Sequence, residues 1–209
     1  MVLKIIITVL FLLFIAWMAV STVLAKVKEP AFTIIKKGKN IEVRSYESFI
    51  IARVEVQGNY MQSQNDGFRI LARYIFGGNL SKESIAMTAP VMEESVGVKI
   101  AMTAPVMEQP SDSGRRYVSF VMPAEYTLAT LPLPIDNRIE IIEVPARNMA
   151  VLKYSWWVNE QRLKRKQIEL NDYIQKNGYE TVGLFIGARY NPPWTPPFLL
   201  RNEIMIQLK

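Results

Sequence analysis

A nonapeptide that occurs twice constrains the fold of this chain more than any other feature. Residues 85–93 and 100–108 both read Ile-Ala-Met-Thr-Ala-Pro-Val-Met-Glu, with a short linker between the copies. Every second residue is apolar, which is typical of a β-strand with one buried face. The proline of each copy has no backbone N–H, so each copy is expected at a sheet edge, a bulge or a bend. We predict that the copies pair as a hairpin, with Met87 and Met102 on the buried face.

Two missing residue types restrict the chemistry of the protein. The 209 residues include neither cysteine nor histidine. This excludes disulfides, thiolate metal sites, imidazole ligands for zinc or haem, and the usual general base of serine and cysteine hydrolases. The formal net charge is +6, but lysine and arginine are spread along the chain, so no nucleic-acid partner and no metal site are predicted.

The N-terminal segment is strongly apolar. Residues 5–25 carry no charge, and about 20 apolar residues suffice to cross a bilayer as a helix. We therefore predict a transmembrane anchor in residues 1–25. The domain of residues 26–209 is then membrane-anchored and exported, on the periplasmic or another extracytoplasmic side. The alternative is a cleavable signal peptide, because Lys4 precedes the run and Val23-Leu24-Ala25 offers small residues for cleavage.

The rest of the chain alternates strand and helix patterns in two similar halves. Strands are predicted at 32–35, 41–46, 49–56, 117–122, 139–144, 149–154, 181–188 and 203–208, and long helices at 60–76 and 158–176. Each half has strands, one helix and strands again. This order predicts a pseudo-symmetric α+β domain with a curled antiparallel sheet and two flanking helices.

Several short motifs resemble those of the SOUL haem-binding protein family, and they occur in that family's order over residues 28–208. They are Met-Thr-Ala-Pro-Val at 87–91 and 102–106, Phe120-Val-Met-Pro123, Tyr126-Thr-Leu, Leu131-Pro-Leu-Pro134, Val144-Pro-Ala-Arg147, Ala188-Arg-Tyr-Asn-Pro-Pro193 and Arg201-Asn-Glu203. The resemblance, to a membrane-anchored bacterial-type member, implies a distorted antiparallel β-barrel of two halves, each with one long helix. The fold that this resemblance implies is similar also to the effector-binding domains of some bacterial multidrug-responsive regulators.

The resemblance further implies that haem or another porphyrin binds in an apolar groove beside the first helix, without a histidine ligand. On that helix the matching wall residues are Phe68, Leu71, Ala72 and Ile75, and Arg69 and Arg73 are candidates for the propionates. Met87, Met102 and Tyr190 are candidate weak axial ligands, and Trp194 is a candidate roof residue. The competing interpretation is that the apolar residues pack in the core.

Three function classes remain open. The first is a non-enzymatic module that binds haem or a related tetrapyrrole. The second is a scaffold or effector-binding module that has lost haem binding and makes only protein contacts at the membrane surface. The third is an enzyme that uses Glu42, Glu55, Glu93 or Glu108, although strand alternation places these carboxylates on the solvent face. The sequence favours the binding module over the enzyme.

Overall fold

The computed structural model describes residues 2–24, 28–81, 97–111 and 113–209. These residues form three α-helices, eleven strands and a short 3-10 helix. In chain order they are α1 (Val2–Leu24), β1 (Phe32–Lys37), β2 (Ile41–Tyr46), β3 (Phe49–Val56), α2 (Tyr60–Ile75), β4 (Asn79–Leu80), β5 (Val106–Pro110), β6 (Arg116–Val121), β7 (Leu133–Pro134), β8 (Ile139–Val144), β9 (Arg147–Tyr154), α3 (Glu160–Lys176), β10 (Thr181–Arg189), the 3-10 helix (Pro197–Leu199) and β11 (Asn202–Leu208).

Nine strands form one antiparallel sheet in the order β1-β2-β9-β11-β10-β5-β6-β3-β8. The first half of the chain supplies β2, β3, α2, β5 and β6, and the second supplies β8, β9, α3, β10 and β11. Exchanging the two sets maps the order of these eight sheet strands onto itself, with β5 and β10 paired at the centre. The predicted α+β class is therefore confirmed, with two topologically similar halves.

The predicted β-barrel is wrong, because the sheet is open. β1 and β8 lie at its two ends, and each pairs on one side only within the described residues, β1 with β2 and β8 with β3. A barrel needs its first and last strands to pair with a fixed stagger. Strand periodicity is the same in an open and a closed sheet, so the residue pattern could not distinguish them.

Two of the helices, α2 and α3, cover one face of the sheet. α2 contacts β3 and β6, and α3 contacts β9 and β11. Both begin at an asparagine cap, where the side chains of Asn59 and Asn159 accept hydrogen bonds from backbone N–H groups in the first helical turn. Gly67 allows close packing of α2, since a Cβ there would lie 2.5 Å from the Cβ of Val118. We call the opposite face of the sheet, which neither α2 nor α3 covers, the open face. It carries a third apolar cluster that contains Met107, Met149 and Met205.

The predicted hairpin of the duplicated segment is not what the second copy forms. Its last residues belong to β5, which pairs with β6 on one side and with β10 on the other. The predicted alternation is also wrong, because Met102 is 42% exposed whereas Thr103 is buried. Thr103 precedes the strand, and its hydroxyl donates to the carbonyl of Val121. The first copy, with Met87, lies outside the described residues.

The N-terminal segment forms α1, and the indole Nε1 of Trp17 donates to the carbonyl of Trp194 at 3.1 Å. Across the described ranges, no helix is both long and apolar enough to cross a membrane. The predicted transmembrane anchor and the membrane-anchored location are therefore wrong, and the exported location that was predicted from this anchor loses its basis. The prediction rested on the apolar, uncharged composition of residues 5–25 alone.

Candidate functional site

A short segment, residues 28–31, lies beside the open face of the sheet, and we call it the strap. Backbone hydrogen bonds hold both of its ends: the Ala104 N–H donates to the carbonyl of Lys28 at 3.0 Å, and the Glu47 N–H donates to the carbonyl of Ala31 at 3.1 Å. Between them, the carboxylate of Glu29 accepts two hydrogen bonds from the Arg201 guanidinium, at 2.6 and 3.0 Å. Bidentate pairs of this kind fix geometry as well as charge. The strap is thus tied to the residue just before β11, to the β2–β3 turn and to the second copy of the repeat.

The strap forms one wall of a cavity of about 590 Å³, which we call the strap cavity. Its other walls are the β2–β3 turn, the start of β3, Thr103 and the loop that follows β6. Most of the lining is apolar: Pro30, Ala31, Phe49, Ile50, Val121, Met122, Pro123, Ala124, Tyr126, Leu128 and Ala129. A concave apolar site of this volume is typical of small-molecule binding.

Three of the motifs that carry the family resemblance meet at the strap cavity. The motif at 120–123 supplies Val121, Met122 and Pro123 to the lining. All three residues of the motif at 126–128 also line the cavity. The second copy of the repeat supplies Thr103. These segments are separated in the sequence, and only the fold brings them to one surface.

A much smaller pocket, about 20 Å³, lies under the strap on the open face. Pro30 lines both this pocket and the strap cavity, so the strap separates the two spaces. Tyr46, Met107, Met149 and Tyr190 also line the small pocket. This volume suits roughly one water molecule, which leaves the strap cavity as the candidate ligand site on this side of the sheet.

A buried ion network lies next to the small pocket. The Arg44 side chain has no exposed surface, and its Nη1 and Nη2 each donate to Glu203 at 3.0 Å. Arg44 Nε also donates to Glu42 at 2.9 Å, and the Tyr190 hydroxyl donates to Glu203 at 2.6 Å. A buried charge is tolerated only with such partners, and removing one partner typically costs about 3–5 kcal/mol. The network therefore fixes how β2 and β11 sit on either side of β9.

The protonation states in this network follow from burial and pairing. Burial raises the pKa of Glu203, but hydrogen bonds and charge from Arg44, together with the Arg201 charge, outweigh burial and leave that pKa below its ordinary value. Burial and the negative charge of Glu203 raise the pKa of Tyr190 well above its ordinary value. Tyr190 is thus a neutral phenol, whereas an iron ligand of the tyrosinate type is a phenolate.

Most of the apolar residues predicted to form a ligand-binding wall on α2 belong to the protein core. Leu71 and Ile75 are 0% and 1% exposed and pack in the apolar cluster between α2 and the sheet. Ala72 is half-buried. Phe68 is 40% exposed, with its ring edge-on to Phe120 at 5.3 Å. The helical spacing was predicted correctly, but the inner part of this face is already covered by the sheet.

The predicted arginines lie on the outer side of the same helix. Arg69 and Arg73 are exposed and line a groove of about 540 Å³, which we call the α2 groove. Arg138 joins them, and the lining also contains Asp66 and Asp136 among its carboxylates. The structure therefore brings the two arginines together, but beside a polar surface.

The remaining predicted residues do not form one site. Met102 is exposed and lines neither of the two larger cavities, and Met87 lies outside the described residues. Trp194 is 57% exposed at the proline-rich loop before β11, where its carbonyl contacts Trp17. The strap-cavity residues were not among the ligand contacts predicted from the sequence. The sequence signals that could have located them are the motifs at 120–123 and 126–128.

The candidate carboxylates for an enzyme are engaged in ion pairs. Glu42 and Glu108 are 5% and 1% exposed, so the prediction that both face solvent is wrong. Glu108 is paired with Arg116, although burial raises its pKa. Glu55 is paired at the surface, and Glu93 lies outside the described residues. None of the three described carboxylates lines the strap cavity.

Comparison with known proteins supports a family and a fold. The family profile described as "SOUL heme-binding protein" matches residues 27–207. Among curated proteins, no significant match is found. Similar solved structures include the C-terminal domain of EcmrR, with 11% identity, a TM-score of 0.56, and coverage of 81% of this chain and 96% of that one. A protein from Listeria innocua described as a hydrolase shows 9% identity, a TM-score of 0.54, and coverage of 84% and 94%. At such identities the structural likeness shows the fold alone.

Proposed function

Because the chain belongs to the SOUL haem-binding protein family, we propose that its domain is a non-enzymatic module that binds haem or a related tetrapyrrole in the strap cavity. The observation that carries the proposal is the convergence of three family-like motifs on one apolar cavity of about 590 Å³. The α2 groove, which the sequence favoured, has a similar volume but a polar lining with several charged side chains. A flat apolar ligand gains more from the apolar walls, at about 25 cal/mol for each Å² buried.

The residues of the strap cavity fit a macrocycle better than they fit an iron ion. Histidine and cysteine are missing from the whole sequence. The lining offers Met122 and Tyr126 as its residues of the thioether and phenol types that ligate haem iron in other proteins. Met122 is only 4% exposed and packs with the core around α2. A bound haem would supply the iron, and the chain would hold the macrocycle mainly by apolar contact.

Hemin titration of the full chain, followed by the Soret absorbance, tests the proposal. Ala124 is an exposed residue that lines the strap cavity, so Ala124→Trp should fill the cavity without disturbing the core. Gln57 is exposed and lines the α2 groove, so Gln57→Trp is the matched control. We expect Ala124→Trp to weaken hemin binding roughly tenfold or more, about 1.4 kcal/mol, and Gln57→Trp to leave it unchanged.

The spectrum and the two variants also give results that would contradict tetrapyrrole binding in the strap cavity. We expect a high-spin ferric spectrum, and a bis-histidine spectrum is excluded by the sequence. If Gln57→Trp weakens binding and Ala124→Trp does not, the ligand lies beside α2 and Arg69 and Arg73 regain their predicted role. If hemin binds no better than it binds an unrelated basic protein of equal charge, the tetrapyrrole proposal fails and the scaffold alternative takes its place.

A further inference from the structure

The charges around the strap cavity do not match the usual chemistry of a haem edge. The charged residues of its lining are Lys28, Glu29, Glu47 and Glu143. Lys28 lies 3.4 Å from Glu125, and Glu29 is held by Arg201 as described above. Each charged residue of the strap therefore has a partner of opposite charge. The charged lining residues without such a partner are Glu47 and Glu143.

Glu47 and Glu143 are both exposed, and neither side chain forms an ion pair or hydrogen bond within the part of the chain that the structure describes. Glu47 lies in the β2–β3 turn, and Glu143 lies on β8 opposite Ile50 of β3. The two unpaired carboxylates at the cavity repel a ligand carboxylate and attract a positive group.

We infer that the strap cavity selects planar apolar macrocycles whose edge is cationic or uncharged over those that carry free carboxylates. This inference rests on the proposed function and names the ligand class of that same site. The overall charge of the protein points the other way, since a net charge of +6 attracts anions non-specifically. A preference for a cationic edge therefore arises from local groups and not from net charge.

The experiment compares two ligands that share one macrocycle. Protoporphyrin carries two free propionates, and its derivative in which both propionates are coupled to ethylenediamine carries two ammonium groups. Both are titrated into the full chain and followed by porphyrin fluorescence. We expect the ammonium derivative to bind about tenfold more tightly, with the difference shrinking as salt is added.

A double variant assigns the preference to the two carboxylates. Glu47→Gln with Glu143→Gln should remove most of the difference between the ligands while the chain stays folded, because both residues are exposed. The control, Asp172→Asn with Glu180→Gln, removes the same charge at exposed positions at or just after α3 and should leave the preference intact.

The outcomes separate this inference from the proposed function. Equal binding of both ligands, blocked by Ala124→Trp, overturns the charge selectivity and leaves tetrapyrrole binding standing. Tighter binding of protoporphyrin also overturns it. A preference that survives the Glu47 and Glu143 substitutions shows that other groups cause it, and the inference fails. If neither ligand binds, the proposed function and the inference fail together.

Discussion

The strap cavity and the α2 groove have nearly the same volume, about 590 and 540 Å³, yet they have opposite chemistry. The strap cavity is walled mainly by apolar side chains. The α2 groove is lined by arginines that face carboxylates; Arg138, for example, lies 2.6 Å from Asp136. Cavities of nearly the same size can therefore favour different ligands. The ligand depends on the polarity of the lining and on whether the charged lining side chains already pair with each other.

The two regions also differ in what lies behind them. Behind the α2 groove, the inner face of the helix is locked into the core through Leu71, Tyr74 and Ile75. Behind the strap cavity lies the open face of the sheet, which no helix covers among the described residues. A ligand at the strap cavity meets the apolar walls of the cavity itself, whereas a ligand in the α2 groove meets mainly the polar outer side of the helix.

The largest effect is expected from Leu71→Asp. Leu71 is fully buried beneath α2, so a carboxylate there loses apolar contacts and has no partner. We expect a loss of roughly 3–5 kcal/mol in the free energy of unfolding, measured by chemical denaturation. Met61→Asp, at a 51% exposed position of the same helix, should change it by less than about 0.5 kcal/mol. A stably folded Leu71→Asp protein that has lost only hemin binding would show that this face is a ligand wall.

A smaller effect is expected from Thr103→Val, which tests the lining of the strap cavity. The Thr103 hydroxyl donates to the Val121 carbonyl, and both residues line the cavity. Removing the donor leaves a buried acceptor without this bond, which should lower the free energy of unfolding by about 1–3 kcal/mol. Met102→Asp should be nearly neutral because Met102 is 42% exposed. The reverse ranking in thermal or chemical denaturation would restore the simple strand alternation.

The smallest effect is expected at the α2 groove and depends on pH. The hydrogen bond from Arg138 lowers the pKa of Asp136 from 3.8 to about 2. A carboxyl group whose pKa is lower in the folded state stabilises the protein above its unfolded pKa, and this contribution is lost as the pH falls from about 3.8 through about 2. Since Arg138 is 59% exposed, the contribution should be about 1 kcal/mol or less.

Asp136→Asn tests this assignment. The variant should be less stable than the original protein at pH 7, and the difference should shrink as the pH falls below 3.8 and disappear only below about 2, as measured by urea denaturation. Asp172→Asn, at an exposed position of α3, is the control and should show no such convergence. A pH-independent difference for Asp136→Asn would mean that the groove charges are not paired in solution, and the contrast between the two cavities would weaken.

Local patterns in the sequence were sufficient for the secondary structure. The apolar spacing of the first long helix predicted residues 60–76, and the structure has Tyr60–Ile75. The strands predicted at 41–46, 49–56 and 139–144 have the observed bounds. These predictions succeed because side-chain periodicity depends on backbone geometry within one element. The two-half order of elements likewise predicted the α+β class.

Tertiary structure alone decided which apolar face is available to a ligand. Phe68, Leu71 and Ile75 share a helix face by spacing, but the sheet covers Leu71 and Ile75 and leaves Phe68 half exposed. In the same way, Thr103 is buried and Met102 exposed because the chain enters β5 only at Val106. Periodicity shows which residues prefer to be buried, and packing against distant segments decides whether protein or ligand buries them.

The pairing of charged residues around the site could also not be predicted from the sequence. Glu203, Arg44 and Arg201 read as ordinary strand and strand-end residues, yet the fold buries Glu203 between the two arginines. Glu47 and Glu143 look equally ordinary, and the fold leaves them unpaired beside an apolar cavity. The sequence determined the helices, the strands and the family. Which charges meet and which remain free depends on distances between residues far apart in the chain, and those distances exist only once the sheet has formed.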